Sequence, residues 1–142
     1  MRQAIDLAKY IVNKCTCDEK PISNLQLQKI LYNIQKEFLS IDNKAFCDEI
    51  EAWQFGPVVP NVYYYFCGFG AMPISSNYDV SMGEYDDSEI TLINTIVEDK
   101  RKLNPWDLVE ETHRVGGAWH EIYQNGSGNR CPIPENLIRE KG

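Results

Sequence analysis

A chain of 142 residues with 43% hydrophobic content is long enough to bury a core without metal or disulfide staples and too apolar to remain disordered, so one domain spanning residues 1–142 is expected. Its formal net charge of −7 opposes direct nucleic-acid binding, which needs a cationic footprint, and suits a basic or mixed-charge protein partner. Five scattered cysteines (Cys15, Cys17, Cys47, Cys67, Cys131) fit free thiols in a reducing compartment, and Arg2 followed by Asp6 and Lys9 is no secretory leader; a cytoplasmic protein without membrane contact is expected.

In chain order, Met1 to Lys14 reads as a helix, because Ala4, Ala8, Ile11 and Cys15 recur at three- and four-residue steps, with Ile5 and Val12 widening the stripe. Cys15 to Pro21 reads as the turn ending it. Ser23 is then an N-cap, with Gln26 placed to complete a capping box and Ile22 to staple onto Leu27. Leu27, Ile30, Leu31, Ile34, Phe38 and Ile41 trace one apolar face, and the opposite face (Gln28, Lys29, Lys36, Glu37) is expected in solvent. Phe46 to Phe55 reads as one or two short strands closed by Gly56-Pro57. Pro60 opens a short helix with Val62, Tyr63 and Phe66 on one side, stopped by Gly68 and Gly70. Ile74 to Ser76 is a candidate second strand against the first.

The segment Ala52–Tyr78 contains no Asp, Glu, Lys or Arg, whereas a stretch of that length at ordinary globular composition carries about seven charges. Exclusion of water explains the gap, since unpaired charges are costly there. Pro57, Pro60 and Pro73 with the three glycines forbid a membrane span. The segment is expected to be the nexus of the fold, a partner-binding surface, or both. Trp53, Phe55, Tyr63 and Phe66 are candidate hot-spot anchors or core residues, and the consecutive Tyr63, Tyr64 and Tyr65 cannot all point inward. Gly56 and Pro57 set a turn.

Tyr78 to Asp87 is acidic and expected as an exposed loop. Asp86 or Asp87 caps the next helix, whose buried stripe is Ile90, Ile93 and Val97, with Lys100, Arg101 and Lys102 at its negative end. Asn104-Pro105 starts another helix running to about His113, and Gly116-Gly117 breaks it. Trp119 to Gln124 is a short helix, Ser127 to Cys131 a loop, and Pro134 opens a last helix. The sum is a mainly α (α+β) domain of about five to seven helices with a small antiparallel β-hairpin.

No nucleophile elbow, phosphate loop or zinc-protease motif occurs. Cys15-x-Cys17 lacks a second ligand pair for a structural metal site. A Cys–His pair from Cys47 or Cys67 with His113 stays open, but the favoured role for His113, following Thr112, is a buried hydrogen bond locking the corner near Trp119. No catalytic residue, metal or cofactor is assigned. Asp48, Glu49, Glu51 and the acidic loop are ordinary solvated surface or a charged rim beside the uncharged segment.

Three segments taken together, Leu27-Gln28-Lys29-Ile30-Leu31-Tyr32, Glu49 to Tyr63 (EIEAWQFGPVVPNVY) and Thr112-His113-Arg114-x-Gly116-Gly117-x-Trp119, resemble the SocA-like antitoxin domain, also called Panacea and known as a phage-associated protein. Order and spacing agree over nearly the whole chain; Ala118 stands where proline is common and Val115 where an acidic residue is usual. The resemblance implies a non-enzymatic, stand-alone binding domain that neutralises a protein toxin encoded by an adjacent gene. Direct occlusion of the toxin is the leading expectation. Delivery of the toxin to a AAA+ protease, or inhibition of a host defence protein by a prophage product, are the alternatives.

Overall fold

The computed structural model describes all of residues 1–142. Seven helices surround a small sheet: α1 (Ala4–Cys17), α2 (Asn24–Ser40), β1 (Glu51–Trp53), β2 (Gly56–Val58), α3 (Pro60–Phe66), α4 (Asp87–Lys100), α5 (Pro105–Thr112), α6 (Ala118–Tyr123), β3 (Cys131–Pro132) and α7 (Glu135–Lys141). The sheet is antiparallel with order β2-β1-β3. The mainly α fold with a small antiparallel sheet agrees with the sequence; the hairpin gains a third strand from residues expected as loop.

The helix caps follow the sequence. Ser23 accepts from the Gln26 backbone N–H while Gln26 Oε1 accepts from the Ser23 N–H, a reciprocal capping box at the start of α2. Asp86 and Glu89 make the same box at α4. The N-terminus of α1 has no cap from Gln3; Asp48 Oδ1 instead accepts from the Ala4 N–H at 2.8 Å across the fold. The helix continues through Cys17, past the expected end at Lys14, because Cys15 still faces the core.

The hub of the molecule is α2, not the uncharged segment. It packs against α1, α3, α4, α5, α7 and β2, and so it is buried nearly all round. Gln28 and Lys29, expected in solvent, are at 1% and 0% exposure, whereas Ile41 lies beyond the last turn and is exposed. A core cluster of 30 buried residues joins the α1 stripe (Leu7, Ile11, Val12) to the α2 face, to Ile93 and Val97 of α4, and to Val62 and Phe66 of α3.

The polar side chains of α2 are buried because neighbouring backbone needs them. Gln35 bonds both the Phe46 carbonyl and the Ala45 N–H at 2.8 Å. Beside β2, Gln28 Oε1 accepts from Val59 N–H at 2.9 Å, and Lys29 Nζ donates to the Pro57 carbonyl at 3.0 Å. Asn24 Nδ2 donates to the Tyr63 carbonyl at 3.1 Å and is itself tied to Gln28. A helix face thus satisfies backbone groups that a fourth strand would otherwise take.

Pairing differs from expectation in two further places. Gly56 and Pro57 open β2 rather than end β1, opposite Trp53 and Ala52. Ile74 bridges Ile22 instead of joining β1, and Cys131-Pro132 takes that edge, opposite Ala52 and Glu51. The acidic loop is anchored as well as exposed: Tyr85 is buried with its hydroxyl on the Ala45 carbonyl, and Asn13 holds both backbone groups of Tyr78.

Candidate functional site

The β1–β2 turn is a two-residue loop, Gln54-Phe55, after which Gly56 has φ +109°. A side chain there would be strained, and it would also have nowhere to go. A Cβ on Gly56 would sit 2.7 Å from Thr112 Oγ1 and 2.8 Å from Lys29 Cε. The three segments singled out in the sequence therefore meet at one point: Lys29 from α2, Gly56 from the hairpin and Thr112 from α5.

The third segment fastens the hairpin from the other side. Trp119 Nε1 donates to the Trp53 carbonyl at 2.7 Å. His113 stacks on Trp119 with centroids 3.7 Å apart and planes 4° apart, and Tyr123 stacks next at 4.6 Å. The expected locking hydrogen bond from His113 is absent; its Nε2 is buried without a partner, and the ring locks the corner by stacking. Burial and the nearby Lys29 charge push its pKa down, so the neutral imidazole stacks there without a counter-ion. His113 bonds no thiol, and Cys47 and Cys67 are exposed elsewhere. No group of three or more His, Cys, Asp or Glu is placed to hold a metal.

Upon this frame the aromatic side chains divide. Trp53, Phe55 and Tyr63 border a cleft of about 280 Å³ between the hairpin, α2 and the segment before β3. Tyr64 adjoins it, with its ring 5.9 Å from Trp53 and 5.6 Å from Tyr63. Phe55 and Tyr64 are 45% and 52% exposed. Tyr65 is equally exposed but belongs to another face, edge-on to Tyr78 at 6.1 Å with Lys9 Nζ 5.1 Å from its ring. Phe66 is fully buried. It presents nothing to a partner, and its inclusion among partner-facing residues is corrected: on a two-turn helix, Val62 and Phe66 are the positions four apart that share the inner face.

Two residues not picked out from the sequence complete the surface. Trp106 in the first turn of α5 is 58% exposed and lies edge-on to Phe55, centroids 5.4 Å apart. Arg130 lies over the Trp53 ring at 4.3 Å and donates from Nη1 to the Tyr64 hydroxyl at 2.8 Å. Arg130 has φ +66° and its N–H bonds the Ala52 carbonyl at 2.7 Å, so β1 holds it in a conformation that non-glycine residues seldom adopt. Trp106 follows a helix-starting proline and Arg130 lies in a stretch without periodicity; neither carries a motif that marks it.

Below the cleft, Lys29 has no counter-charge. Desolvation alone lowers its pKa from 10.5 to about 7. Glu51 engages the indole N–H of Trp53 at 2.9 Å, and Asp48 is occupied by Ala4 and Asn61. The acidic rim is thus partly structural.

The model of the family described as "Antitoxin SocA-like, Panacea domain" matches residues 27–120, a span that encloses Lys29, Gly56, Thr112 and Trp119. The chain is similar to Antitoxin SocA of Caulobacter vibrioides (strain NA1000 / CB15N), with 30% identity over 145 residues covering 92% of this chain and 77% of that protein. No solved structure matches.

Proposed function

The chain belongs to the SocA-like Panacea antitoxin family, and from that premise we propose that it is an antitoxin that silences a protein toxin by covering it. The docking face is the aromatic surface formed by Trp53, Phe55, Tyr63, Tyr64 and Trp106. The observation that carries this reading is the placement of Phe55, Tyr64 and Trp106, large apolar side chains about half exposed around one cleft on a hairpin clamped by α2 and Trp119. Such a face offers rigid aromatic area that loses little conformational freedom on binding, which is what hot spots require. Glu51 beside Trp53 puts one acidic side chain at its edge, and the net charge of −7 favours a basic or mixed-charge partner and speeds encounter.

The test is co-expression with the toxin encoded by the adjacent gene. The wild-type protein restores growth, and the toxin's half-life is unchanged. Phe55→Ala with Tyr64→Ala abolishes rescue while the variant still unfolds at the wild-type temperature. Full rescue by that variant contradicts the placement of the face. A toxin half-life shortened by the wild-type protein contradicts occlusion and favours delivery to a protease.

A further inference from the structure

The cleft has a charge pattern opposite to that of the molecule. The protein carries 21 acidic and 14 basic residues, yet Lys29 and Arg130 are the charged residues lining the cleft, and no acid does. Lys29 is the one fully buried cation, whereas Arg130 is exposed. Of the half-buried cations, Arg2 is neutralised by Glu89, Lys14 by Asp18 and Glu98, Lys100 by Glu111 and Arg101 by Asp18, while Lys9 and Lys36 have no acid partner. Lys29 makes a single hydrogen bond, to the Pro57 carbonyl, although an ammonium has three donors and none of them reaches water at 0% exposure. Arg130, exposed at the mouth of the cleft, makes one side-chain hydrogen bond, to Tyr64, so the rest of its fork faces solvent and is free to meet an incoming acceptor. A buried cation without an anion is costly. Here the uncompensated charge lies under a cleft with Leu25, Val58 and Tyr63 among its apolar walls.

We propose that this cleft is a carboxylate-binding site, which receives an acid carried beside an apolar side chain on the partner protein. The guanidinium of Arg130 grips the carboxylate at the mouth, the Lys29 charge attracts it from below, and the aromatic walls take the adjoining apolar group. The identity of the partner rests on the antitoxin reading; the chemistry of the cleft does not. The depressed pKa of Lys29 agrees with a site that lacks its anion.

The test titrates the isolated protein, observed through the Trp53 indole N–H resonance, with three probes: N-acetylphenylalanine, its amide, and an acetylated and amidated Leu-Glu-Leu peptide. One or both acids shift the resonance saturably, and the better one tells whether a chain-terminal or a side-chain carboxylate is preferred. The amide binds at least about tenfold more weakly, and Arg130→Gln weakens the acid by a similar factor. Lys29→Met, verified as folded by circular dichroism, weakens it too; should that variant not fold, Arg130→Gln at the surface still decides. Equal binding of acid and amide, no binding of either acid, or unchanged binding by Arg130→Gln overturns the proposal. None of those results affects rescue from toxicity, so the two readings fail separately.

Discussion

At the scale of single residues, Lys29 makes the sharpest statement. Unfolded, it titrates near 10.5; folded, near 7. Between those values the unfolded chain binds a proton that the folded chain does not, so stability rises as pH climbs from about 7 towards 10, and below 7 the buried charge costs on the order of 5 kcal/mol. His113, also depressed, acts in the same direction below its ordinary 6.5. Tyr32 and Tyr85, pushed up to about 12 by burial, end the rise: above pH 10 the unfolded chain loses protons the folded one keeps, and stability falls. Chemical denaturation across pH 6 to 10 is expected to show this increase in the wild type and little of it in Lys29→Met, which is also the more stable protein at pH 6. Equal pH profiles for the two would mean that Lys29 is not buried. Gly56 makes a second such statement. Gly56→Ala combines a strained φ with contacts at 2.7 and 2.8 Å and should destabilise by about 2–4 kcal/mol, measured by the same denaturation at pH 7.

At the scale of elements, α2 replaces a strand with side chains. Gln28 holds the Val59 N–H and the Asn24 amide, so Gln28→Leu strands two buried polar groups and should cost about 2–4 kcal/mol. Hydrogen exchange should report the loss first at Val59, whose amide is protected by that side chain; unchanged exchange there would contradict the arrangement. What was legible in the sequence follows from the same physics. Caps and stripes are local, and Ser23-x-x-Gln26, an acidic cap at Asp86 or Asp87, and the spacing of Leu27, Ile30, Leu31 and Ile34 point to α2 and α4 directly; the pairing of Asp86 with Glu89 in a full capping box emerges only in the structure. The buried Gln28 and Lys29 were hidden because their partners are the backbone of a hairpin about thirty residues away. β3 was hidden for a related reason: two residues, one of them proline, carry no period, and their strand geometry is imposed by β1.

At the scale of the molecule, the proposed face was partly legible. The absence of charge between Ala52 and Tyr78 drew attention to the hairpin on which that face is proposed, and the division of Tyr63 to Tyr65 followed from helix geometry, but which ring faces which way depends on α1 and α5. Packing against Tyr78 took Tyr65 away from the cleft, and α5 brought Trp106 to it. The family's segments converge on Gly56 in a rigid frame, and the aromatic face proposed for docking is carried on that frame. Trp106→Ala, on α5 rather than the hairpin, should therefore weaken toxin binding by about tenfold or more with little change in stability, read by calorimetry on the purified pair.

Hydrogen–deuterium exchange on the complex with the adjacent-gene toxin reads the face without any substitution. Slowed exchange confined to residues 53–64, 104–108 and 129–131 is the predicted result. Protection confined to α4 and the acidic loop, with those three segments unchanged, would contradict the account.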